Sequence, residues 1–300
     1  MSSTTRAVRD AHQKNLVKLF DSLCGRQSRW TVWSDFITMA AISVSNVFDI
    51  ENAPEREKTY MSLSEKWNAN ELEVFGQMLA EVVLGMDDNP DQDFLGELFM
   101  LLELSNDHNG QFFTPYNVCK MMSLMVGSDT KANIDANGWV GVNDPACGAG
   151  ALLVAYANSL KDAGINYQTS VLFVAQDIDF IVGCMCYLQL SLMGCAGYVV
   201  VANTITEPST SYDKRGLLPR DRGNVWYTPM YFSDVWALRK LWAKINLTMP
   251  IGDIPKKETP LEVPPPPKEL PKPQPAPEAP EPAAEAVEYT ASEGGQLSFF

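Results

Sequence analysis

The sequence lacks two features, one typical of membrane-spanning proteins and one typical of secreted proteins. It has no uninterrupted apolar run of about 18 residues, the length that a membrane-spanning helix requires. Its first residues, Met-Ser-Ser-Thr-Thr-Arg, contain none of the apolar stretch that is typical of a signal peptide. These two absences predict a protein of the cytoplasm.

Cysteine is scarce and shows no framework spacing. The chain has six cysteines, and two of them, Cys184 and Cys186, would direct their thiols to different faces of a helix. We interpret the six as reduced, mostly buried apolar residues, and we expect no metal site.

Positive charge is also in short supply. The net charge is −14, and the nine acidic residues and four lysines of 251–300 leave 28 acidic and 19 basic residues in 1–250. Affinity for duplex DNA depends largely on Lys and Arg that neutralise phosphates. Any contact with nucleic acid is therefore expected to be local, or to be supplied by a partner.

The segment 139–153 organises the rest of the chain. Its apolar start predicts a short buried strand, which ends where Pro145 would interrupt a sheet ladder. Gly148 and Gly150 then allow a tight turn and a close approach of the backbone to a ligand. Ala151-Leu152-Leu153 opens a helix whose first N–H groups point into that turn. A strand, a glycine turn and a helix in this order indicate a site for a nucleotide-like ligand.

A second segment, Gly110-Gln111-Phe112-Phe113-Thr114-Pro115, lies upstream of this turn. Thr114 and Pro115 suit the N-cap and the first position of a helix, which would account for them without any function. The adjacent aromatic residues Phe112 and Phe113 are harder to explain structurally, because they cannot both face one core.

A third segment, Val174-Ala175-Gln176-Asp177-Ile178-Asp179, follows the turn and ends a continuous apolar run typical of an inner parallel strand. A carboxylate at this position can accept two hydrogen bonds from ribose hydroxyls. The alternative is that Asp177 and Asp179 form only a polar strand end that caps the next helix.

Taken together, the three segments resemble the S-adenosylmethionine (SAM) site of the N6-adenine DNA methyltransferases, specifically the modification subunits of type I restriction-modification systems. The family's segments read Gly-Glu-Phe-Tyr-Thr-Pro, Asp-Pro-Ala-Cys-Gly-Ser-Gly and Gly-Gln-Glu-x-Asp. The resemblance covers roughly residues 93–205 and implies a bacterial or phage-encoded protein with SAM as cofactor. It implies that the cofactor is held by Phe112, Phe113, Thr114, Pro115, Asp144, Pro145, Cys147, Gly148, Gly150, Asp177 and Asn203.

The resemblance weakens after Asn203. The family carries Asn/Asp-Pro-Pro-Tyr/Phe, in which polar groups hold the adenine N6 and an aromatic ring stacks on the flipped base. This sequence has no such motif, although Asn224-Val225-Trp226-Tyr227 keeps the spacing. Asn224 and Tyr227 are therefore the candidate catalytic residues. The alternative is that Trp226, Tyr227 and Tyr231 pack a loop over the sheet.

Apolar periodicity predicts the remaining elements. The predicted fold is α/β, with a Rossmann-like SAM-dependent methyltransferase core of only three or four strands behind a helical N-terminal domain. That domain would hold DNA and partner subunits, or would merely cover the sheet. The predicted helices are 6–20, one after Ser28 or Thr31, 69–86, 93–104, one from Pro115, 152–160, 180–193 and 233–247, and the predicted strands are 139–142, 171–175 and 198–202.

The C-terminal region differs in composition from the rest. Residues 249–293 are rich in Pro, Glu and Ala, which predicts an extended linker. The segment 294–300 ends in Gln296-Leu297-Ser298-Phe299-Phe300 and resembles the peptide with which bacterial replication proteins bind the sliding clamp. Gln296, Leu297, Phe299 and Phe300 would make that contact, unless this is a chance hydrophobic end.

The predicted organisation is therefore a helical domain (1–106), a SAM-binding domain (107–248), a linker and a clamp-binding peptide. Two functions follow as hypotheses. The first is a DNA adenine methyltransferase whose site a second subunit or a second copy completes. The second is a SAM-binding accessory protein, associated with DNA replication or modification, that no longer transfers methyl groups. A cytosine C5 methyltransferase lacks support because the sequence has no Pro-Cys dipeptide, which carries the nucleophile of those enzymes. A dinucleotide dehydrogenase lacks support because Gly148 and Gly150 are not followed by the third glycine of the dinucleotide-binding motif.

Overall fold

The computed structural model of the chain describes residues 10–104, 113–126 and 129–248. These residues lie in one compact unit. The fold is mixed α/β, with helices packed around a four-stranded sheet. In this part of the chain, no helix has both the length and the apolar character needed to cross a membrane. Phe112, the linker segment 249–293 and the peptide 294–300 lie outside the described residues.

Within residues 10–104, five helices precede the site, and local capping explains where several of them begin. The Asp10 side chain accepts a hydrogen bond from the Gln13 N–H, so the first helix starts after residue 10. Of the two caps that the sequence offered for the second helix, the structure uses Ser28, whose hydroxyl oxygen accepts from the Thr31 N–H. The helices are Ala11–Leu23 (α1), Arg29–Ser45 (α2), Ala53–Ser64 (α3), Ala69–Asp88 (α4) and Phe94–Leu101 (α5).

Helix α3 was not predicted. Its sequence, Ala-Pro-Glu-Arg-Glu-Lys-Thr-Tyr-Met-Ser-Leu-Ser, is strongly charged and has no apolar stripe, and Arg56 is its only buried residue. Because periodicity of apolar residues is the main signal for a helix, a helix that buries an arginine escapes it.

The second half of the chain alternates strands and helices. After Tyr116–Val126 (α6) and Thr130–Asn137 (α7), the elements are Val140–Asp144 (β1), Ala151–Asp162 (α8), Tyr167–Ser170 (α9), Val171–Asp177 (β2), Phe180–Leu192 (α10), Ala196–Val201 (β3), Val225–Tyr227 (β4), a 3-10 turn at Pro229–Phe232 and Asp234–Thr248 (α11). The three predicted strands are therefore present, and a short fourth strand adds to them.

The sheet order is β1-β2-β3-β4. The first three strands are parallel, with Val142 opposite Phe173 and Val174 opposite Tyr198. Strand β4 is antiparallel to β3 and pairs Tyr227 with Tyr198. The carboxyl ends of the parallel strands therefore meet at one edge of the sheet, together with Asn224, which precedes β4.

Each face of the sheet is covered by a separate core. The N-terminal helices, α8 and α10 pack on the face that presents Phe173 and Trp226. The opposite face presents Val174 and Tyr198 and is covered by Trp236 of α11 and the loop around Leu217. This alternation of facing residues along β2 and β3 is what a strand buried on both sides requires.

Candidate functional site

The turn between β1 and α8 has the backbone that its glycines predicted. Gly148 and Gly150 have φ angles of 54° and 96°, in the left-handed region that other residues avoid. A Cβ atom on Gly148 would lie 3.3 Å from Cδ1 of Phe113. Gly150 is the N-cap residue of α8, so the first N–H groups of that helix face the turn.

Asp177 holds this turn from the neighbouring strand. One of its carboxylate oxygens accepts a hydrogen bond from the Gly148 N–H at 2.9 Å, and the other accepts from the Asp179 N–H at 3.0 Å. Asp179 in turn caps α10, since its side chain accepts from the Val182 N–H. The structure thus brings Asp177 to the turn, where it has a structural task; its contact with a ribose stays a prediction.

Phe113 and Thr114 reach the same place from the segment before α6. The Phe113 ring stacks on Phe99 with centroids 5.4 Å apart and closes one side of the turn. Helix α6 begins at Tyr116, so the prediction that Thr114 is the N-cap and Pro115 the first helical residue is wrong by one residue. The Pro115 carbonyl accepts hydrogen bonds from the N–H groups of Val118 and Cys119, which fixes the start of the helix.

A cavity of about 270 Å³ opens beside the turn. It adjoins a larger one of about 910 Å³ with which it shares Asp93, Phe113 and Thr114. Ligand cavities in proteins commonly measure about 300–1,000 Å³. The smaller cavity is lined by Asp93, Phe113, Thr114, Cys119, Met122, Asp144, Ala146, Cys147, Gly148, Ala149, Ala151 and Leu152.

The lining of both cavities is acidic. Asp93 and Asp144 face the smaller cavity, and Asp10, Asp91 and Glu97 join Asp93 around the larger one. Neither lining includes a lysine or an arginine among the described residues, although Lys120, outside the linings, forms an ion pair with Asp91. The site is therefore suited to a ligand that carries positive charge.

Burial changes the acidity of these carboxyl groups. It raises the pKa of Asp93 to about 6. Burial also raises the pKa of Asp144, and the nearby negative charge of Asp177 adds to this effect, whereas a hydrogen bond from the Ala146 N–H opposes it. A bound cation would favour the ionised form of both groups.

Cys147 contributes packing rather than reactivity. A hydrogen bond with the Cys186 thiol, together with burial, raises the pKa of Cys147 well above its ordinary value. The thiol is therefore protonated at neutral pH and is a poor nucleophile. Its backbone N–H donates to the Gln176 carbonyl at 2.9 Å, which ties the turn to β2.

Two residues of the site were not predicted, Asp93 and Gln189. The Gln189 side chain donates hydrogen bonds to an Asp93 carboxylate oxygen and to the Ala149 carbonyl, both at 2.8 Å, and accepts one from the Leu95 N–H at 3.2 Å. It is fully buried within the apolar helix α10. An amide in such a helix is a signal that sequence analysis can use, because a buried polar group requires partners.

Asn203 lies next to the turn without lining the cavity. Its side-chain oxygen accepts from the Ile205 N–H at 2.9 Å, which shapes the loop after β3. In that loop the Thr204 hydroxyl donates to the Pro145 carbonyl at 2.5 Å. Pro145 and Asn203 are thus brought together as parts of two adjoining loops.

The structure does not bring Asn224 and Tyr227 to the turn. Strand β4 is three strand spacings from β1, or roughly 14 Å at about 4.8 Å each. The Asn224 amide donates to the Val201 carbonyl at 3.2 Å, and the Tyr227 ring stacks on Tyr231 with centroids 5.0 Å apart. These contacts agree better with the alternative that Trp226, Tyr227 and Tyr231 have a packing role. Trp226 and Tyr227, however, belong to the sheet itself and not to a loop over it.

A separate cavity of about 1,130 Å³ lies beside this strand. Tyr227, Tyr231 and Phe232 form its aromatic wall, and Lys240 lies near the Tyr231 ring, 3.7 Å from the centroid. Burial lowers the pKa of Lys240 to about 8. An aromatic wall next to a lysine is compatible with stacking of a planar ligand.

Comparison with known proteins agrees with the position of the turn. Residues 91–237 match the family model for N-6 DNA methylases. No curated protein matches the chain. The matched segment begins next to Asp93 and contains Phe113, the glycine turn, Asp177, Asn203 and Tyr227. Over this segment, which holds the whole sheet and every residue that lines the smaller cavity, the chain resembles the N6-adenine DNA methyltransferases.

Proposed function

We propose that the protein binds SAM beside the glycine turn and transfers its methyl group to the N6 atom of adenine in DNA. In this proposal the four strands correspond to the cofactor-binding half of a Rossmann-like sheet. The N-6 DNA methylase match supports the assignment to DNA methylation. The observation that carries the choice of cofactor is the acidic lining of the cavity.

SAM has a sulfonium and an ammonium group and only one carboxylate, so its net charge is positive. Asp93 and Asp144 line the cavity without an accompanying lysine or arginine among the described residues. The same carboxylates would repel the pyrophosphate of a dinucleotide. The cavity therefore favours SAM over the other common ligand of a glycine turn.

The chain's own groups would hold such a ligand in a definite way. The N–H groups at the start of α8 suit the ligand's carboxylate, because a helix N-terminus carries partial positive charge. Gly148 leaves room for the backbone to approach it, and Phe113 covers one side. When bound, SAM supplies an electrophilic methyl group on sulfur.

Calorimetry with SAM tests the assignment. We expect Gly148→Leu to abolish binding, because its side chain would enter the cavity against Phe113. Gly138→Leu is the matched control: Gly138 also has a left-handed backbone, with φ 77°, but apart from its chain neighbours no atom of the described residues lies within 4 Å of its Cβ position. Unchanged affinity in a folded Gly148→Leu protein would contradict the proposal.

A second function, that of a SAM-binding accessory protein without transferase activity, has its own support. The Asn224 amide is engaged by the Val201 carbonyl, and no Asn-Pro-Pro or Asp-Pro-Pro motif occurs in the sequence. Transfer of a labelled methyl group to DNA separates the two functions. If Asn224 and Tyr227 hold the base, Asn224→Ala should lower transfer steeply and leave SAM binding intact. If the wild-type chain transfers nothing, even with partner chains added, the accessory function is favoured.

We also propose that another chain, or a second copy, completes the catalytic site. Strand β1 is at one end of the sheet and pairs only with β2 among the described residues. An edge strand offers free backbone groups to a further strand. Sedimentation of the full chain, alone and with candidate subunits, should give a mass above the 33.2 kDa of one chain under the conditions in which methyl transfer occurs. Full activity from a monomer would contradict this.

The last partner that we propose is a bacterial sliding clamp, bound through Gln296, Leu297, Phe299 and Phe300. Apolar side chains in an otherwise Pro- and Glu-rich region are available as anchors for an apolar groove. Such a contact would concentrate an acidic protein on DNA without a basic surface. A peptide of residues 289–300 should bind purified clamp, and the same peptide with Gln296 and Phe300 changed to Ala should not.

A further inference from the structure

Asp93 is almost fully buried, and one of its carboxylate oxygens has no hydrogen-bond partner among the described residues. The residue is 3% exposed and faces both acidic cavities. Its Oδ1 atom accepts from the Gly96 N–H at 3.0 Å, as the cap of α5, and from the Gln189 amide at 2.8 Å. Its Oδ2 atom has no hydrogen bond with any residue in the described ranges. Because Asp93 lines both cavities, this oxygen is available to a donor group of a ligand bound there.

Gly96 provides the space that this carboxylate occupies. A Cβ atom at position 96 would lie 2.1 Å from Oδ2 of Asp93. The cap of α5 would be satisfied by Oδ1 alone, so the cap does not require Oδ2 at this position. Gly96 therefore allows an orientation of the Asp93 carboxylate in which Oδ1 caps α5 and Oδ2 makes no contact with the cap.

Gln189 sets the position of this carboxylate relative to the glycine turn. The same amide nitrogen donates to Asp93 and to the Ala149 carbonyl, each at 2.8 Å. Asp93 is thereby held beside the N-terminus of α8, where the proposed function places the ligand's carboxylate. In an α-amino acid, the ammonium group is attached to the carbon that bears the carboxylate. A ligand held at α8 by its carboxylate thus presents its ammonium group close to this side of the turn.

We propose that Asp93 accepts a hydrogen bond from the α-ammonium group of the bound ligand and so makes the cavity selective for nucleosides that carry an α-amino acid. The proposal rests on the proposed function, since it assigns a residue to one group of SAM. An ammonium group offers three donors and no acceptor, which suits an acidic cavity. Asp144, the last residue of β1, lines the same cavity and could accept a second hydrogen bond from the ammonium group.

Three ligands test the proposal by calorimetry on the full chain: SAM, S-adenosylhomocysteine and the deamino analogue of S-adenosylhomocysteine, which lacks only the ammonium group. Wild-type protein should bind S-adenosylhomocysteine at least ten-fold more tightly than the deamino analogue, as expected for a charged hydrogen bond. In Asp93→Asn this ratio should approach one. The ratio of SAM to S-adenosylhomocysteine should be the same in both proteins.

Asn is the right replacement because it retains the cap and the acceptor for Gln189. Asp87→Asn is the matched control, because it removes the same charge from an exposed residue of α4; it should behave as wild type. If Asp93→Asn fails to fold, the preference of the wild-type protein for the ligand with an ammonium group still tests the proposal.

Each other outcome overturns the proposal in a different way. Equal binding of the deamino analogue and S-adenosylhomocysteine to wild type means that the ammonium group is not recognised. An equal loss for all three ligands in Asp93→Asn means that Asp93 acts only by positioning the turn through Gln189. A loss confined to SAM means that the carboxylate faces the sulfonium. If wild type binds neither SAM nor S-adenosylhomocysteine, the proposed function itself fails, and this inference with it.

Discussion

At the β1 end of the sheet, Asp93 and Asp144 face a cavity whose described lining contains no lysine or arginine, whereas at the β4 end the buried carboxylate of Asp49 is paired with Arg56. Arg56 donates to Asp49 at 2.7 Å, to the Ser45 hydroxyl and to the Val225 carbonyl at 2.7 Å. Its guanidinium also lies over the Trp226 ring, 4.2 Å from the centroid. Arg56 thus has several partners at the β4 end, whereas the described lining around Asp93 and Asp144 offers these carboxylates no cationic partner.

This difference contrasts a part of the fold that serves stability with the part that we propose to bind the ligand. A buried charge with a full set of partners fixes the helices against the edge of the sheet. A buried carboxylate that lacks a cation costs stability until a ligand supplies one. The two ends should therefore respond in opposite ways to the removal of a charge.

The largest effect is expected at the β4 end. Arg56→Met leaves Asp49, whose side chain is 4% exposed, as a buried charge without its partner. We expect the free energy of unfolding to fall by about 3–5 kcal/mol, the usual cost of breaking a buried ion pair from one side. Urea denaturation measures it.

Lys58→Met on the same helix is the control. Lys58 pairs with Glu55 at the surface, where both side chains are more than two-thirds exposed, so its loss should be within about 0.5 kcal/mol of zero. The double variant Arg56→Met/Asp49→Leu should recover much of the stability, because it removes the unpaired charge as well. A cost below about 1 kcal/mol for Arg56→Met would remove the contrast between the two ends.

The next effect is a pH dependence at the β1 end. The pKa of Asp93 is raised to about 6, above its ordinary value near 4, so the folded protein holds this proton over a range in which the unfolded chain has released it. In that range a rise in pH lowers stability. Asp93 should therefore reduce the free energy of unfolding by up to about 3 kcal/mol between pH 4 and pH 7, at about 1.4 kcal/mol per pKa unit.

Since other groups titrate in the same range, the informative quantity is the difference between wild type and Asp93→Asn. That difference should shift in favour of the variant as the pH rises, and denaturant titrations at several pH values measure it. Asp87→Asn should run parallel to wild type. A constant difference from pH 4 to pH 7 would show that Asp93 is not a destabilising buried charge.

The backbone elements around the cavity could be predicted from the sequence, but the acidic character of its lining could not. Strand β1, the glycine turn and β2 follow from apolar runs interrupted by Pro145, Gly148 and Gly150, because these signals are local. The acidic lining depends on Asp93, which lies 51 residues before Asp144 along the chain and reaches the turn only through packing of α5 against α10. Helix boundaries shifted by a few residues for the same reason, since caps and packing decide them.

The β4 end was harder to predict than the β1 end. A strand of three residues is too short for an alternating pattern to be recognised, and α3 shows no apolar stripe. What joins them is the Arg56 side chain, whose partners are separated from it by 7 to 169 residues. Single-sequence patterns contain no information on such long-range polar contacts.

The smallest effects are expected for two asparagines near the sheet: Asn203, in the loop after β3, and Asn224, immediately before β4. Asn203 shapes the loop that contacts Pro145, whereas the Asn224 amide donates to Val201. Replacing Asn203 with Ala should loosen the loop beside the turn and weaken SAM binding by about 1 kcal/mol, or roughly five-fold, with little change in stability. Asn224→Ala should instead lower the free energy of unfolding by about 1 kcal/mol and leave SAM affinity unchanged. Calorimetry and urea denaturation on both variants give the four numbers, and the reverse assignment of effects would place the ligand nearer to β4 than to the glycine turn.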